Sequence, residues 1–220
     1  MSPRITYEAE LERLREDTEK IGEAVQNVYG RLFEALKEKK EDELSQICES
    51  EHDIHMMQRS IEGSCLNLIT KQQPIASDLR RVTAVLKSVN DISRIGDQCA
   101  DIAELLLRMQ MKELSAFSAH ISDMIDCTQK QLADSVEAFL KRDVIAASSV
   151  ISKDDLVDEF FNRVKEDLIS HLKEGTKDAD DCVDILMIAK HLEKTGDHAV
   201  NIAEWTVFRE TGEFQEVRLL

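Results

Sequence analysis

Glycine, proline and aromatic side chains are scarce in this chain of 220 residues. It contains seven glycines and two prolines, and aromatic residues make up 5% of it. A loop-rich or all-β protein needs more of these residues, because glycine and proline supply the backbone conformations of its many turns. Alanine, leucine, isoleucine, glutamate, aspartate and lysine dominate instead, and such a mixture favours long helices. The composition therefore predicts an all-α protein.

Long apolar runs are also missing. No stretch approaches the ~18 uncharged apolar residues that a membrane span requires, and the N-terminus has no basic segment followed by an apolar one. The five cysteines are odd in number and no two have CxxC spacing, which favours reduced thiols in a helical core over disulfides. We expect a soluble cytoplasmic protein without direct membrane insertion, which reaches a membrane only through a partner.

Basic residues are outnumbered by acidic ones, 28 to 44, and the formal net charge is −16. This balance argues against binding to nucleic acid, since phosphate backbones are bound by lysine and arginine. It argues equally against adhesion to anionic lipid. An acidic surface instead favours cations, or a partner with a basic face.

Apolar residues recur at spacings of three and four along most of the chain, which is the period of an amphipathic helix. Six such stripes can be traced, at residues 5–36, 44–68, 79–106, 117–139, 150–172 and 180–208. Charged runs, Pro74 and Gly175 separate them. Three long helices in each half, joined by short loops, predict two tandem antiparallel three-helix bundles, residues 1–112 and residues 113–220.

An internal repeat shows which residues to question first. Residues 95–104 (IGDQCADIAE) recur as residues 195–204 (TGDHAVNIAE), with glycine, aspartate, isoleucine, alanine and glutamate at the same positions. The two halves are therefore a duplicated unit. Each copy places a glycine, Gly96 or Gly196, inside a helical pattern, where glycine costs ~1 kcal/mol relative to alanine. Its presence in both copies indicates tight packing or a space requirement beside the following aspartate.

In both copies, side chains that are mostly acidic follow one another at four-residue spacing and so share one helix face. We call each such row of side chains a ladder. The third predicted helix carries Asp97 and Asp101, and the last one carries Glu193, Asp197 and Asn201. The middle helix of each half offers a matching pair, Glu51 with His55 and Asp154 with Asp158. Antiparallel packing would bring each pair against its ladder, and the carboxylate sites of helical bundles are built in this way.

Carboxylates at this spacing repel one another, whereas a hard cation such as Mg²⁺, Ca²⁺, Mn²⁺ or iron would reverse the sign of the interaction. The alternative is ordinary surface chemistry. An acidic chain produces such spacings by chance, and Arg94 and Lys194 are placed for ion pairs with Asp97 and Asp197. The recurrence of the ladder in both halves favours metal sites.

Motifs of catalytic sites are absent from the sequence, which has no GxxxxGK[ST], GxGxxG, HExxH or GxSxG pattern. A carboxylate-bridged di-metal enzyme of the helical-bundle type would need two Glu-x-x-His pairs. Glu49 and His52 form one such pair, and the sequence contains no second. We therefore predict a binding protein rather than an enzyme, with no organic cofactor.

Three segments resemble the PhoU family of phosphate-transport regulators. They are residues 71–80 (KQQPIASDLR) and the two ladder segments, residues 92–97 (ISRIGD) and 192–197 (LEKTGD). The family pattern is a repeated (E/D)xxxD motif in a Glu-Arg-Ile-Gly-Asp-like context, with Asn or Asp four residues later. The family's duplicated length matches the whole chain.

The resemblance implies two three-helix bundles related by a pseudo-twofold axis, with iron or other metal ions such as Zn²⁺, Mn²⁺ or Mg²⁺ on the acidic faces. It also implies a cytoplasmic adaptor that links the ATPase subunit of an ABC phosphate transporter to a sensor histidine kinase and represses the phosphate-starvation response. A homodimer or higher oligomer is expected. An accessory role for a different phosphate permease stays open. The sequence shows no arginine cluster or amide-lined loop that would bind phosphate directly.

Two positions depart from the family pattern. Position 93 is serine where the family usually has an acid, and His55 stands in place of an acid on the neighbouring helix. We therefore expect the first site to bind metal more weakly than the second, or to hold fewer ions.

Overall fold

The structure is a computed structural model that describes residues 3–110, 112–175 and 178–213. Its α-helices are α1 Pro3–Glu38, α2 Glu41–Gln72, α3 Ser77–Arg108, α4 Ile121–Lys141, α5 Val144–Ile151, α6 Asp154–Lys173 and α7 Ala179–Thr211. A short 3₁₀ turn at Leu114–Ala116 lies between α3 and α4. No β-strand occurs in the described ranges. The all-α prediction is confirmed.

The helices pack as two bundles. Helices α1, α2 and α3 contact one another and form the first bundle, while α4, α6 and α7 form the second. Helices α3 and α7 also pack along each other and join the two bundles. The prediction of two tandem three-helix bundles is therefore confirmed, with one helix added.

The added helix is α5, and it corrects the single helix predicted over residues 150–172. Oδ1 of Asp143 accepts hydrogen bonds from the backbone amides of Ile145 and Ala146, each at 3.0 Å, and so caps the N-terminus of α5. At the other end, Oγ of Ser152 donates to the carbonyl of Ser149 at 3.0 Å. Such local hydrogen bonds compete with a continuing helix. Helix α5 ends at Ile151, and α6 begins at Asp154. An apolar stripe continues across this break because both helices bury apolar side chains, those of α5 in a small cluster with Val200, Ala203 and Val207 and those of α6 in the main core.

The central helices carry the most deeply buried apolar side chains. Fully buried examples are Val89, Ile95, Ile102 and Leu106 on α3, and Ile185, Ile188, Leu192 and Ile202 on α7. Each such side chain contributes roughly 1.5–3 kcal/mol when it leaves water. The polar residues on these two helices are therefore held by a rigid support.

The cysteines carry free thiols. Burial raises the pKa of Cys65 and of Cys99 to about 12, so both stay protonated at neutral pH and are poor metal ligands. Among the described residues, no helix is both long and apolar enough to cross a membrane.

Candidate metal-binding faces

The first acidic face lies where α2 packs on α3, and it consists of Glu51, His55 and Asp97. Nε2 of His55 is 2.8 Å from Oδ1 of Asp97. One possible ligand atom from each of the three residues lies within 4.8 Å of the other two. Carboxylate oxygens and imidazole nitrogens bind a metal such as zinc at ~2.0–2.2 Å, so small side-chain rotations would bring all three onto one ion. These residues fit a metal ion.

Arg94 also contacts the first acidic face. Its Nη1 donates to Oδ2 of Asp97 at 3.1 Å, so the ion pair expected from the spacing is present. The Arg94 side chain is 59% exposed, and exposed pairs contribute only ~0–1 kcal/mol. A cation that binds Asp97 would therefore have a weak competitor.

The second acidic face lies where α6 packs on α7, and it consists of Asp154, Asp158, Glu193 and Asp197. Burial raises the pKa of Asp197, and the negative charges of the other three residues raise it further, while Lys190 acts in the opposite direction. Lys190 also forms an ion pair with Glu193. Four carboxylates beside one lysine leave an excess of negative charge, which a bound cation would offset.

The two faces differ in how close their groups lie. Within the part of the chain that the structure describes, only the first face brings three possible ligand atoms within 4.8 Å of one another. The second face has more carboxylates but a looser arrangement. Ser93, which replaces an acid of the family pattern, is 1% exposed, and its Oγ has no hydrogen-bond partner. It therefore supplies no ligand at the surface of the first face.

Close helix contacts at two glycines position the acidic side chains. A Cβ atom on Gly96 would lie 2.9 Å from Cδ1 and 3.3 Å from Cγ2 of Ile54 on α2. A Cβ atom on Gly196 would lie 3.1 Å from Oε1 of Gln131 and 3.3 Å from Cγ2 of Val157. The glycines thus let neighbouring helices approach beside the aspartate that follows each of them. This supports the tight packing inferred from the repeat.

Asp101 and Asn201 contact the other repeat instead of the middle helix of their own bundle. Oδ2 of Asp101 is 3.5 Å from Nδ1 of His191 on α7. Nδ2 of Asn201 donates to Oδ1 of Asp91 on α3 at 3.2 Å. Four residues turn a helix by slightly more than one full turn, so the last position of each ladder is rotated by ~40° toward another neighbour. The spacing therefore predicted the wrong surroundings for these two residues.

These contacts belong to a polar seam between α3 and α7. We use this name for the six residues Asp91, Gln98, Asp101, His191, His198 and Asn201. Nδ1 of His198 is 2.9 Å from Oδ1 of Asp91, and Nδ1 of His191 is 2.8 Å from Oε1 of Gln98. The first three residues occupy the same repeat positions as the last three, and each set contacts the other. Such reciprocal contacts are the signature of a twofold axis, here a pseudo-twofold axis between the repeats.

The internal repeat, unlike the helical periodicity, contains an indication of this seam. Asp91 and His191 are equivalent positions of the repeat, as are Gln98 and His198. Polar residues at equivalent positions on two otherwise apolar helix faces indicate a contact between the repeats. Glu49 and His52, the pair of the enzyme alternative, are instead exposed on α2, so they do not face the bundle core that such a centre requires.

Comparison with known proteins bears on this arrangement of helices and repeated acidic faces. The family model described as the PhoU domain matches the chain twice, at residues 18–106 and 121–206. The chain belongs to the PhoU family. It is 30% identical over 207 residues to the phosphate-specific transport system accessory protein PhoU homolog of Clostridium acetobutylicum, and covers 94% of both chains. It is also 30% identical over 213 residues to PhoU homolog 1 of Thermotoga maritima, with 96% of this chain and 92% of that protein covered.

Solved PhoU structures have the same fold. The crystal structure of PhoU from Pseudomonas aeruginosa matches with a TM-score of 0.89 and 28% identity, over 94% of this chain and 100% of that one. The phosphate transport system regulatory protein PhoU from Streptococcus pneumoniae matches with a TM-score of 0.87 and 29% identity, over 96% of this chain and 100% of that one.

Proposed function

We propose that this PhoU-family chain is an accessory protein of a phosphate-specific transport system that binds metal ions on its two acidic faces and represses the phosphate-starvation response. Its relatives are named as accessory proteins of such systems, which also favours a binding role over an enzymatic one. The observation that carries the metal binding is the first acidic face, where Glu51, His55 and Asp97 bring ligand atoms within 4.8 Å of one another.

The partners that we propose are the ATPase subunit of an ABC phosphate transporter and a sensor histidine kinase, met in the cytoplasm. A metal ion on an exposed helix face keeps coordination positions open toward solvent. Such an ion can accept a carboxylate or imidazole of a partner, while the surrounding acidic residues attract basic ones. Iron, Zn²⁺, Mn²⁺ and Mg²⁺ are the candidate ions.

The first test is a metal titration of the wild type and three variants, two of which each replace the aspartate of one acidic face. We expect Asp197→Asn to remove more bound metal than Asp97→Asn, because the second face has four carboxylates and the first has two and a histidine. Asp53→Asn on α2 is the matched control, since Asp53 is exposed and lies between Glu51 and His55. Equal metal content in all four proteins would contradict metal binding, and equal losses from both faces would contradict the asymmetry.

The Tm of the metal-free protein tests whether the Asp197→Asn variant is folded. Because the pKa of Asp197 is raised in the folded chain, the folded state binds more protons than the unfolded state between the two pKa values. Stability therefore falls as pH rises through the folded pKa. We expect Asp197→Asn to raise the Tm of metal-free protein by about 1–2 °C at neutral pH, while it removes the increase that metal produces in the wild type.

The regulatory role is tested in cells. Alkaline phosphatase activity in phosphate-rich medium should rise in a strain that lacks this gene and fall again when the intact gene is restored. Asp53→Asn should restore repression fully, and the double variant Asp97→Asn/Asp197→Asn should restore it poorly. Normal repression in the strain without the gene would rule out the repressive role.

A further inference from the structure

A cavity at one end of the molecule is lined by arginines of four different helices. Arg15 of α1, Arg81 near the start of α3, Arg142 just after α4 and Arg209 of α7 line it, and its volume is about 30 Å³. The chain has 44 acidic residues, yet none of the described residues lining this cavity is acidic. The charged side chains that line the cavity are therefore all positive, while carboxylates lie at its border.

Arg209 is the buried member of this group. Its side chain is 7% exposed, and its guanidinium lies over the ring of Phe139, 5.0 Å from the ring centre. Nη1 donates to the carbonyl of Phe139 at 3.3 Å. Nε has no hydrogen-bond partner, and the carboxylate of Glu210 is 3.4 Å away. This buried donor therefore has an ion-pair partner but no well-directed hydrogen bond, so its polar contacts are incompletely satisfied.

Neighbouring arginines add repulsion to this incompletely satisfied donor. Burial, together with the positive charges of Arg142 and Arg81, lowers the pKa of Arg209 to about 10, against the opposing effect of Glu210. The protein thus holds three cations together in a partly dehydrated place. Such an arrangement is unfavourable unless an anion compensates it.

Two more buried groups without a hydrogen-bond partner lie on helices that form the cavity, although neither lines it. They are Nε of Arg80, beside Arg81 on α3, and the hydroxyl of Tyr7 on α1. The pKa of Tyr7 is raised by burial and by Asp78 and is lowered by Arg81, which places this hydroxyl near the cavity arginines.

Among the described residues, carboxylates at the border of the cavity form ion pairs with Arg15, Arg81 and Arg209, and none does so with Arg142. Arg15 is paired with Glu12 at 2.7 Å and with Glu19 at 3.3 Å. Arg81 lies 3.7 Å from Asp78, which is too far for a hydrogen bond.

A purely structural role would account for two of the arginines. Arg142 and Arg209 lie at the C-terminal ends of α4 and α7, where a cation stabilises the helix dipole. Arg81 lies near the N-terminal end of α3, where a cation gains no such stabilisation. The dipole also does not explain why Nε of Arg209 has no hydrogen bond.

We propose that this cavity binds a phosphate group, either orthophosphate or the phosphate of a small phosphorylated metabolite. Guanidinium groups bind phosphate oxygens with paired hydrogen bonds, and Arg81, Arg142 and Arg209 approach the cavity from different sides. The cavity corrects the expectation from the sequence that no arginine cluster is present. If the proposed function holds, the chain would itself sense phosphate; the binding site does not depend on that function.

The test is a calorimetric titration of metal-free protein at low ionic strength with orthophosphate, glycerol phosphate and sulfate in turn. We expect phosphate binding to be at least tenfold weaker in Arg81→Gln and in Arg142→Gly. The second variant also relieves the left-handed backbone of Arg142, whose φ is 59°, so it should fold. Arg163→Gln, on the exposed side of α6, is the matched control and should bind as the wild type does.

The three ligands separate the possible sources of the phosphate group. Tighter binding of orthophosphate than of glycerol phosphate identifies the free ion as the ligand, and the reverse order identifies a phosphorylated metabolite. Undetectable binding of both phosphates, tighter binding of sulfate than of either, or equal phosphate binding in the wild type and the arginine variants would overturn the proposal.

A second readout separates ligand binding from a structural role. In phosphate-free buffer, Arg81→Gln should raise the Tm, because it removes a charge that repels Arg209, and it should reduce the rise in Tm that phosphate produces in the wild type. A lower Tm with an unchanged response to phosphate would show a structural arginine and overturn the proposal. The arginine variants should keep their metal binding, and Asp97→Asn and Asp197→Asn should keep their phosphate binding.

Discussion

At the scale of single residues, glycine matters to the acidic faces as much as the acids do. Gly96 and Gly196 allow α2 and α6 to approach the helices that carry Asp97 and Asp197. The carboxylates of each face come from two helices, so their separation depends on this approach. A local pattern predicted the position of both glycines because they recur within the repeat.

Gly96→Ala tests this dependence. Alanine gains ~1 kcal/mol in helix propensity, but its Cβ would meet Ile54, and overpacking costs ~1–3 kcal/mol. We expect the free energy of unfolding in urea to fall by up to ~2 kcal/mol. Gly63→Ala is the matched control, because no atom lies within 4 Å of its added Cβ, and it should stabilise the protein by ~0.5–1 kcal/mol. Equal stabilisation by both variants would show that the close contact is not required.

The ladder residues show which neighbouring side chains can be predicted from four-residue spacing. Asp97 meets Glu51 and His55 as the spacing predicted, and Asp197 feels the charges of Asp154, Asp158 and Glu193. Asp101 and Asn201 do not follow, because a helix rotates by ~40° with each step of four residues. Spacing therefore predicted the surroundings of Asp97 and Asp197 and failed at the next ladder position in each repeat, Asp101 and Asn201.

At the scale of elements, helical periodicity predicted the long helices and missed the short one. The chain turns twice within a few residues, after Lys141 and after Ile151. Both breaks depend on individual hydrogen bonds of Asp143 and Ser152, which leave the apolar spacing intact. The polar residues that interrupt the stripe were visible, but the period alone assigns them to an exposed face.

The N-cap of α5 gives a prediction at this scale. Asp143→Ala removes the acceptor for the amides of Ile145 and Ala146, so we expect the free energy of unfolding to fall by ~0.5–2 kcal/mol. Asp143→Asn keeps an oxygen acceptor, so its free energy of unfolding should fall by only a few tenths of a kcal/mol. Urea unfolding of the two variants checks the prediction, and equal losses would show that charge, not capping, is what Asp143 contributes.

At the scale of the whole molecule, α3 and α7 join the repeats through apolar packing with a polar seam. Asp91 contacts His198 and Asn201 across the seam, while His191 contacts Gln98 and Asp101. Buried polar groups need hydrogen-bond partners, and each repeat supplies these partners for the polar side chains of the other. The seam thus specifies how the two bundles sit against each other.

A double-mutant cycle of Asp91→Ala and His198→Ala measures this coupling. Asp91→Ala alone leaves His198 and Asn201 without their acceptor and should destabilise the protein by ~1–3 kcal/mol. The double variant should lose less than the sum of the single variants, with an interaction energy of ~0.5–3 kcal/mol. Additive losses in urea unfolding would mean that the two repeats are not coupled through this pair.

The sequence by itself determined the helical class, the duplication and the carboxylates of the two acidic faces. The helical class and the acidic faces follow from short-range patterns, because a helix converts spacings of three and four into a shared face, and the duplication follows from the similarity of the two halves. The tertiary structure decided which groups pair across the polar seam, and it alone decided the arginine cavity. Arg15, Arg81, Arg142 and Arg209 lie far apart in the chain and follow no common spacing. They meet only because α1, α3, α4 and α7 pack together at this place, and helical periodicity carries no information about which parts of these helices will meet.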